Sequence, residues 1–169
     1  MMKIYNKDGI NDRPNFLKSE EIAREMANYL STDIIREELE ELNKPGGTSQ
    51  EIQGIINPKA EELGFRSEKK GLFKEFQLRP DYFLELGENK GIIMEVERGK
   101  TLANNMDLLD VWKCHICPCA NFLFLIVPMI RPTKKGGRTK AFDSVEKRIS
   151  PFFEKENYIN VDAVFLFGY

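Results

Sequence analysis

The chain has 169 residues, of which 31% are charged, and its formal net charge is −2 at pH 7. A chain of this length can bury a substantial core, and we expect residues 1–169 to form a single domain. The nearly balanced charge excludes a protein that binds nucleic acid through overall basicity, so any such contact must come from a local patch.

The first 48 residues are predicted to form a helical region. Residues 1–17 are mixed and polar, which predicts an irregular start. Two helices follow, over residues 18–30 and from residue 34 to about residue 43, because apolar side chains recur there at spacings of three and four. The acidic side chains of the second helix are typical of a solvated face.

The region 49–130 is predicted to be the core of the domain. Thr48 and Glu51 have the spacing of a capping box, which predicts a third helix that runs to about residue 63. Pro58 lies within that span and predicts a break or kink.

Strands dominate the rest of the core. Alternation predicts a strand over residues 72–78, and a hairpin follows, with strands on either side of a turn at 87–90. A helix from about residue 104 to residue 117 then leads to residues 122–127, which are apolar on both faces, as in a central strand covered on both sides.

The region 131–169 is predicted to contain a basic loop over residues 131–140, a helix over residues 142–149 and a last strand over residues 161–167. Helices followed by a hairpin, a helix, a buried strand, a helix and a strand predict an α/β fold with a mixed sheet flanked by helices.

The amino terminus and the cysteines bear on the compartment. The chain begins without the pattern of a secretory signal peptide, and its longest apolar run is far shorter than the roughly 20 residues that span a bilayer. Three cysteines lie close together, which is typical of reduced thiols and not of a disulfide framework. We therefore expect a cytoplasmic protein without membrane contact.

Three carboxylates stand on the predicted hairpin: Asp81, Glu95 and Glu97. Because side chains alternate along a strand, Glu95 and Glu97 share a face. Asp81 joins them only if the loop holds an odd number of residues, 87–89 or 88–90, so that Asp81 lies opposite Glu95 or Glu97.

Carboxylates are rarely buried unless they are paired or hold a metal. Oxygen ligands suit Mg²⁺ or Mn²⁺, and the carbonyl of Val96 could add a ligand to Asp81 and Glu95. The alternative is that Asp81 is a turn residue after Pro80 and that the glutamates face solvent on an edge strand.

The segments Arg79-Pro80-Asp81 and Glu95-Val96-Glu97 resemble the PD-(D/E)xK nuclease superfamily, and more narrowly the BamHI/BglII-type restriction endonucleases. The resemblance covers about residues 50–130 and places a glutamate where most members carry the motif lysine. It implies a restriction-endonuclease-like fold: a mixed β-sheet flanked by α-helices.

The resemblance also implies roles for individual residues. Asp81 and Glu95 would hold the divalent metal, and Glu97 would position or deprotonate the attacking water. Glu51 matches an auxiliary acidic residue of some members, although its place in a capping box explains it equally well. Two lysines could supply a displaced motif lysine, or could be exposed charges: Lys100 and Lys113.

The predicted loop over residues 131–140 carries five cations and no acid: Arg131, Lys134, Lys135, Arg138 and Lys140. Basic loops with glycines can follow a DNA backbone, so these side chains are candidate phosphate contacts. A solvated loop is the alternative.

The segment from Cys114 to Cys119 contains three cysteines and the sole histidine, namely Cys114, His115, Cys117 and Cys119. Zinc sites normally draw four ligands from two separated pairs, and this chain has no second pair. Buried structural thiols are therefore expected, with a zinc site, within one chain or shared between subunits, as the alternative.

Together these features predict a Mg²⁺-dependent endonuclease that hydrolyses phosphodiester bonds in double-stranded DNA, as type II restriction enzymes do. Cutting both strands needs two sites, so we expect a homodimer, with the N-terminal helices as its interface. The alternatives are a structure-specific repair or junction nuclease and a catalytically inactive nucleic-acid-binding domain on the same scaffold.

Overall fold

A computed structural model of the chain describes residues 1–67, 79–87, 89–98, 102, 104–133, 135–155, 157 and 159–169. The helices of this part of the chain are α1 (Pro14–Ser31), α2 (Asp33–Leu42), α3 (Ser49–Glu62), α4 (Met106–Ile116) and α5 (Ala141–Ile149), followed by a 3₁₀ turn over Ser150–Phe153. The strands are β1 (Met2–Asn6), β2 (Arg66–Ser67), β3 (Tyr82–Gly87), β4 (Lys90–Val96), β5 (Phe122–Val127), β6 (Arg131–Pro132), β7 (Arg138–Thr139) and β8 (Ala163–Gly168).

Six of these strands form one mixed sheet in the order β1-β8-β5-β4-β3-β2. The three central strands, β8, β5 and β4, run parallel to one another. The outer strands β1, β3 and β2 pair antiparallel to their neighbours. The prediction of an α/β fold with a mixed sheet flanked by helices is therefore confirmed, as is the central position of β5.

The sheet separates two apolar cores. Because side chains alternate along a strand, Ile92 and Met94 of β4 face the core under α1, α2 and α3, whereas Ile93 faces the core under α4 and α5. All six residues of β5 are buried, which explains why this strand is apolar on both faces. The helices α3 and α4 thus reach β4 from opposite sides of the sheet.

Two predictions about the helical regions are wrong. Residues 1–17 are not irregular: β1 pairs along its whole length with β8, and α1 already begins at Pro14, whose missing N–H suits the first helical position. Pro58 does not break α3, which runs without interruption from Ser49 to Glu62. Pro58 lies on the exposed face, so its ring displaces no core neighbour.

The segment 131–140 is also more ordered than predicted, because β6 and β7 form a small separate hairpin within it. The strand predicted over residues 72–78 lies outside the described residues. No helix in the described part of the chain is long and apolar enough to cross a membrane.

Phe124 at the centre of β5 provides a test of the core. Its ring centroid lies 5.0 Å from that of Phe165 and 5.4 Å from that of Phe167, and the side chain is fully buried. Phe124→Ala should lower the free energy of unfolding by about 3–5 kcal/mol, measured by urea denaturation, because it leaves a cavity. Leu17→Ala, at a half-exposed site on α1, is the control and should cost far less.

Candidate active site

The register of the hairpin brings Asp81 level with Glu95. Tyr82 pairs with Met94 across β3 and β4, so the residue before Tyr82 stands opposite the residue after Met94. This is one of the two registers that the sequence allowed for a site on these carboxylates.

The loop that achieves this register differs from the prediction. Gly87 pairs with Lys90, and a β-bulge between Glu85 and Gly87 shifts the pairing by one residue. The predicted loop over residues 87–89 is therefore wrong. The bulge places the extra residue in β3 and not in the loop. At the end of the hairpin away from the turn, Asp81 therefore lies on the same face of the sheet as Glu95, as an odd loop would also have arranged.

Asp81 and Glu95 hold each other in place through hydrogen bonds across the strands. The amide N–H of Asp81 donates to Oε2 of Glu95 at 3.2 Å. The amide N–H of Val96 donates to Oδ2 of Asp81 at 2.8 Å. Both carboxylates are thus anchored by backbone donors, which fixes their separation before any ligand binds.

Lys113 on α4 completes this group from the other side. Its Nζ donates to Oε1 of Glu95 at 2.8 Å and to Oδ1 of Asp110 at 2.9 Å. Of the two lysines proposed as a displaced motif lysine, Lys113 therefore does contact the predicted site. Lys100 lies outside the described residues.

Asp110 was missed in the sequence, although a signal was present. Asp107, Asp110 and Cys114 recur at helical spacing and, with Val111, form the buried face of α4. Acidic residues that share one helical face with buried apolar residues indicate a polar site on the inner face of the helix. Asp107 pairs with Arg148 at 3.1 Å, which leaves Asp110 as the aspartate of this face that reaches the site.

Burial makes this cluster electrostatically strained. Glu95 is only 3% exposed, and burial together with the nearby Asp110 raises its pKa well above the ordinary value, against the attraction of Lys113. Burial also raises the pKa of Asp81, opposed by the hydrogen bond from Val96. The same desolvation raises the pKa of Asp110 to about 6, again opposed by Lys113.

The pKa of Lys113 is also raised. Burial acts to lower it, but Glu95 and Asp110 outweigh that effect. The lysine therefore stays charged and interacts with three carboxyl groups. Carboxyl groups crowded in this way favour a proton or another cation among them.

The donor chemistry of the group suits a hard divalent cation. Oδ2 of Asp110 is buried and has no hydrogen-bond partner among the described residues, so one carboxylate oxygen is unsatisfied. Within the same residues, no three His, Cys, Asp or Glu side chains form a group that could hold a metal ion. A set of two carboxylates and one backbone carbonyl remains compatible with Mg²⁺, which keeps several waters.

Glu97 follows the last residue of β4, and Glu51 lies in the first turn of α3. The N–H of Glu97 donates to the carbonyl of Ile126 at 2.8 Å, and its carbonyl accepts from the hydroxyl of Tyr169. Glu51 is exposed, and its carboxylate accepts hydrogen bonds from the N–H and hydroxyl of Thr48. The capping box is thus confirmed, and it engages the side chain proposed as an auxiliary acid.

The basic residues of the segment 131–140 lie on the β6–β7 hairpin and its flanks. Lys135, Arg138 and Lys140 are exposed, and Arg131 is partly buried. Lys140 has an exposed partner, Asp143, at 3.9 Å. Lys134 lies outside the described residues.

The three cysteines of the segment 114–119 are free thiols, and Cys119 is only partly buried. Cys114 and Cys117 are buried free thiols, as predicted, and burial raises the pKa of each. Nδ1 of His115 accepts a hydrogen bond from the amide of Asn160 at 2.8 Å. That bond engages one of the two ring nitrogens through which a histidine could bind zinc.

No protein family and no curated protein matches the sequence. Among solved structures, the chain is similar to a crystal structure of the restriction endonuclease BglII in complex with a DNA 16-mer. The likeness is weak, with a TM-score of 0.49 and 10% sequence identity, and it covers 99% of this chain and 77% of that chain.

Asp110→Asn should reduce the pH dependence of stability in the presence of EDTA. The folded-state pKa of Asp110 is about 6, whereas an unfolded aspartate titrates near about 3.9. The folded protein holds this proton more tightly, so stability should rise as the pH falls from about 7 to about 5. Urea midpoints at both pH values should differ less in the variant than in the wild type.

Asp12→Asn, at an exposed site, is the matched control and should keep the wild-type difference. Equal differences for the wild type and Asp110→Asn would show that this carboxyl does not titrate in that range.

Proposed function

We propose that the protein is a metal-dependent endonuclease that hydrolyses phosphodiester bonds in double-stranded DNA, as type II restriction enzymes do. The observation that supports this most strongly is the contact between Asp81 and Glu95, level on adjacent strands and completed by Lys113. Two carboxylates at the end of the hairpin away from the turn, with a partly buried lysine beside them, support the PD-(D/E)xK roles that the sequence resemblance implies.

In this proposal Asp81, Glu95 and the carbonyl of Val96 hold Mg²⁺ or Mn²⁺. A divalent cation there would neutralise charge on the phosphate and lower the pKa of an attacking water. Glu97 positions that water or accepts its proton.

Lys113 takes the role of the motif lysine that Glu97 replaces. Its ammonium group already lies 2.8 Å from Glu95, and it is held there by a second carboxylate, Asp110. A fixed positive charge at this place can stabilise negative charge that develops on the phosphate oxygens. Asp110 is then a positioning residue, because it acts through Lys113.

The cations of the segment 131–140 are proposed to contact the DNA backbone: Arg131, Lys134, Lys135, Arg138 and Lys140. Three of them are exposed in the described structure, which leaves them accessible to phosphates. Such contacts add affinity without reading sequence.

Glu95→Gln should abolish cleavage of supercoiled plasmid in Mg²⁺ or Mn²⁺, because the amide cannot supply the negative oxygen ligand. We expect at least a hundredfold loss of rate, on the order of the effect of removing a key catalytic group. The measurement is conversion of supercoiled to nicked and linear plasmid on a gel, with circular dichroism to verify folding.

Glu85→Gln is the matched control, since Glu85 is an exposed glutamate on the same hairpin. It should cleave as the wild type does. A wild-type protein that shifts DNA in a gel but never cuts it would favour the inactive binding domain, and cleavage by Glu95→Gln at the wild-type rate would rule out the proposed site.

Cutting both strands requires two sites, and we propose that the protein forms a homodimer through α4. The outer face of α4 exposes Leu109 by 47%, Trp112 by 55% and Ile116 by 40%. These positions lie at helical spacing, opposite the buried face that carries Asp110. Helices α1 and α2 expose single large apolar residues, Leu17 and Ile34, so they offer less apolar surface than α4.

Trp112→Glu should convert the dimer to a monomer, because a charge at the centre of an apolar interface is costly to bury. Light scattering after gel filtration measures the mass, and plasmid assays should show nicking in place of linearisation. Ile34→Glu is the control and should leave the mass unchanged. A wild-type monomer at all concentrations would exclude this interface.

A further inference from the structure

A cleft of about 730 Å³ opens beside Asp81, between α3 and the start of β3. Its size lies within the roughly 300–1,000 Å³ typical of small-ligand sites. One wall is a single face of α3 that contains Gln50, Gln53, Gly54 and Asn57. The cleft therefore extends from Asp81, a proposed metal ligand, along a row of amide side chains on α3.

The chemistry of the cleft suits a nucleobase better than a phosphate. Among the described lining residues, Arg79 is the one cation, and Glu61 offsets its charge. Amide side chains both donate and accept, which matches the polar edges of a base. Asn57 donates to Glu61 at 2.7 Å through its Nδ2, which leaves its Oδ1 as an acceptor.

The backbone of α3 adds another acceptor at the same place. The carbonyl of Gly54 would normally accept a hydrogen bond from the N–H of residue 58, but that residue is Pro58 and has no N–H. Both residues line the cleft. A Cβ added to Gly54 would have no atom within 4 Å, so a ligand can approach the helix backbone closely there.

The cleft is also connected directly to the proposed active site. Gln53 and Asp81 both line the cleft, and the side chain of Gln53 acts to lower the pKa of Asp81. The hydroxyl of Tyr82, the next residue, donates to the carbonyl of Gln53 at 3.3 Å. A ligand held by α3 would therefore be placed next to the phosphodiester that Asp81 is proposed to receive.

We propose that this cleft binds one nucleotide displaced from the duplex, next to the scissile phosphate. This inference rests on the proposed nuclease function and narrows its substrate. Displacing a paired base costs a few kcal/mol, whereas a base that is already unpaired costs little. DNA with an unpaired nucleotide should therefore bind more tightly than fully paired DNA.

The test is fluorescence anisotropy in EDTA with two labelled duplexes of one sequence, one fully paired and one with a single unpaired adenosine. The wild type should bind the second at least about tenfold more tightly, the factor that roughly 1.4 kcal/mol produces. Gly54→Leu should lose this preference because its side chain fills the cleft, while its affinity for paired DNA stays the same. Glu62→Leu, at an exposed position of α3 outside the cleft lining, is the control and should retain the preference.

Folding is not expected to limit Gly54→Leu, because the space at Gly54 is open and leucine favours a helix more than glycine does. Equal affinity of the wild type for both duplexes, or an unchanged preference in Gly54→Leu, would overturn the nucleotide site. So would an absence of DNA binding. Plasmid cleavage by the wild type tests the proposed nuclease separately, since a protein that cuts but shows no preference refutes only the cleft.

Discussion

The buried ion pair between Lys113 and Glu95 is the contact on which the arrangement of the site depends. Glu95 is almost fully buried on a central part of the sheet, where an uncompensated carboxylate would be strongly destabilising. Lys113 supplies the compensation from α4 and also binds Asp110. These contacts fix the rotation of α4 about its axis. Asp110 therefore faces the sheet, and Trp112 is exposed on the opposite side of the helix.

A second helix, α3, lies near Asp81 from the opposite side of the sheet. The carbonyl of Gln53 accepts a hydrogen bond from the hydroxyl of Tyr82 at the start of β3, and Gln53 lines a cleft together with Asp81. The capping box of Thr48 and Glu51 fixes where this helix begins. Asp81 therefore lies where two helices and two strands meet, so that charge compensation comes from α4 and the neutral, amide-lined wall of the cleft comes from α3.

The bulge in the hairpin shows how a local irregularity can preserve a functional register. Alternation along β4 requires that Asp81 face Glu95 if the two are to act together, and an odd loop was one way to meet that requirement. The chain meets it with a bulge between Glu85 and Gly87 and a shorter connection. The carboxylates restricted the pairing near the site to two registers, whereas they did not constrain the turn, which is distant from them.

The sequence by itself determined the mixed α/β architecture and the buried central strand β5, because periodicity and alternation are local properties. For a site on the hairpin it restricted the partner of Asp81 to Glu95 or Glu97. Only the tertiary structure decided that Asp81 lies level with Glu95, that β1 pairs with β8, that Lys113 and Asp110 join Glu95, and that Tyr82 contacts Gln53. These contacts join residues that are distant in the chain or lie on different elements. The face that α4 presents to the sheet places Lys113 beside the buried carboxylate of Glu95. Hydrophobic spacing alone does not reveal such a pairing of buried charges.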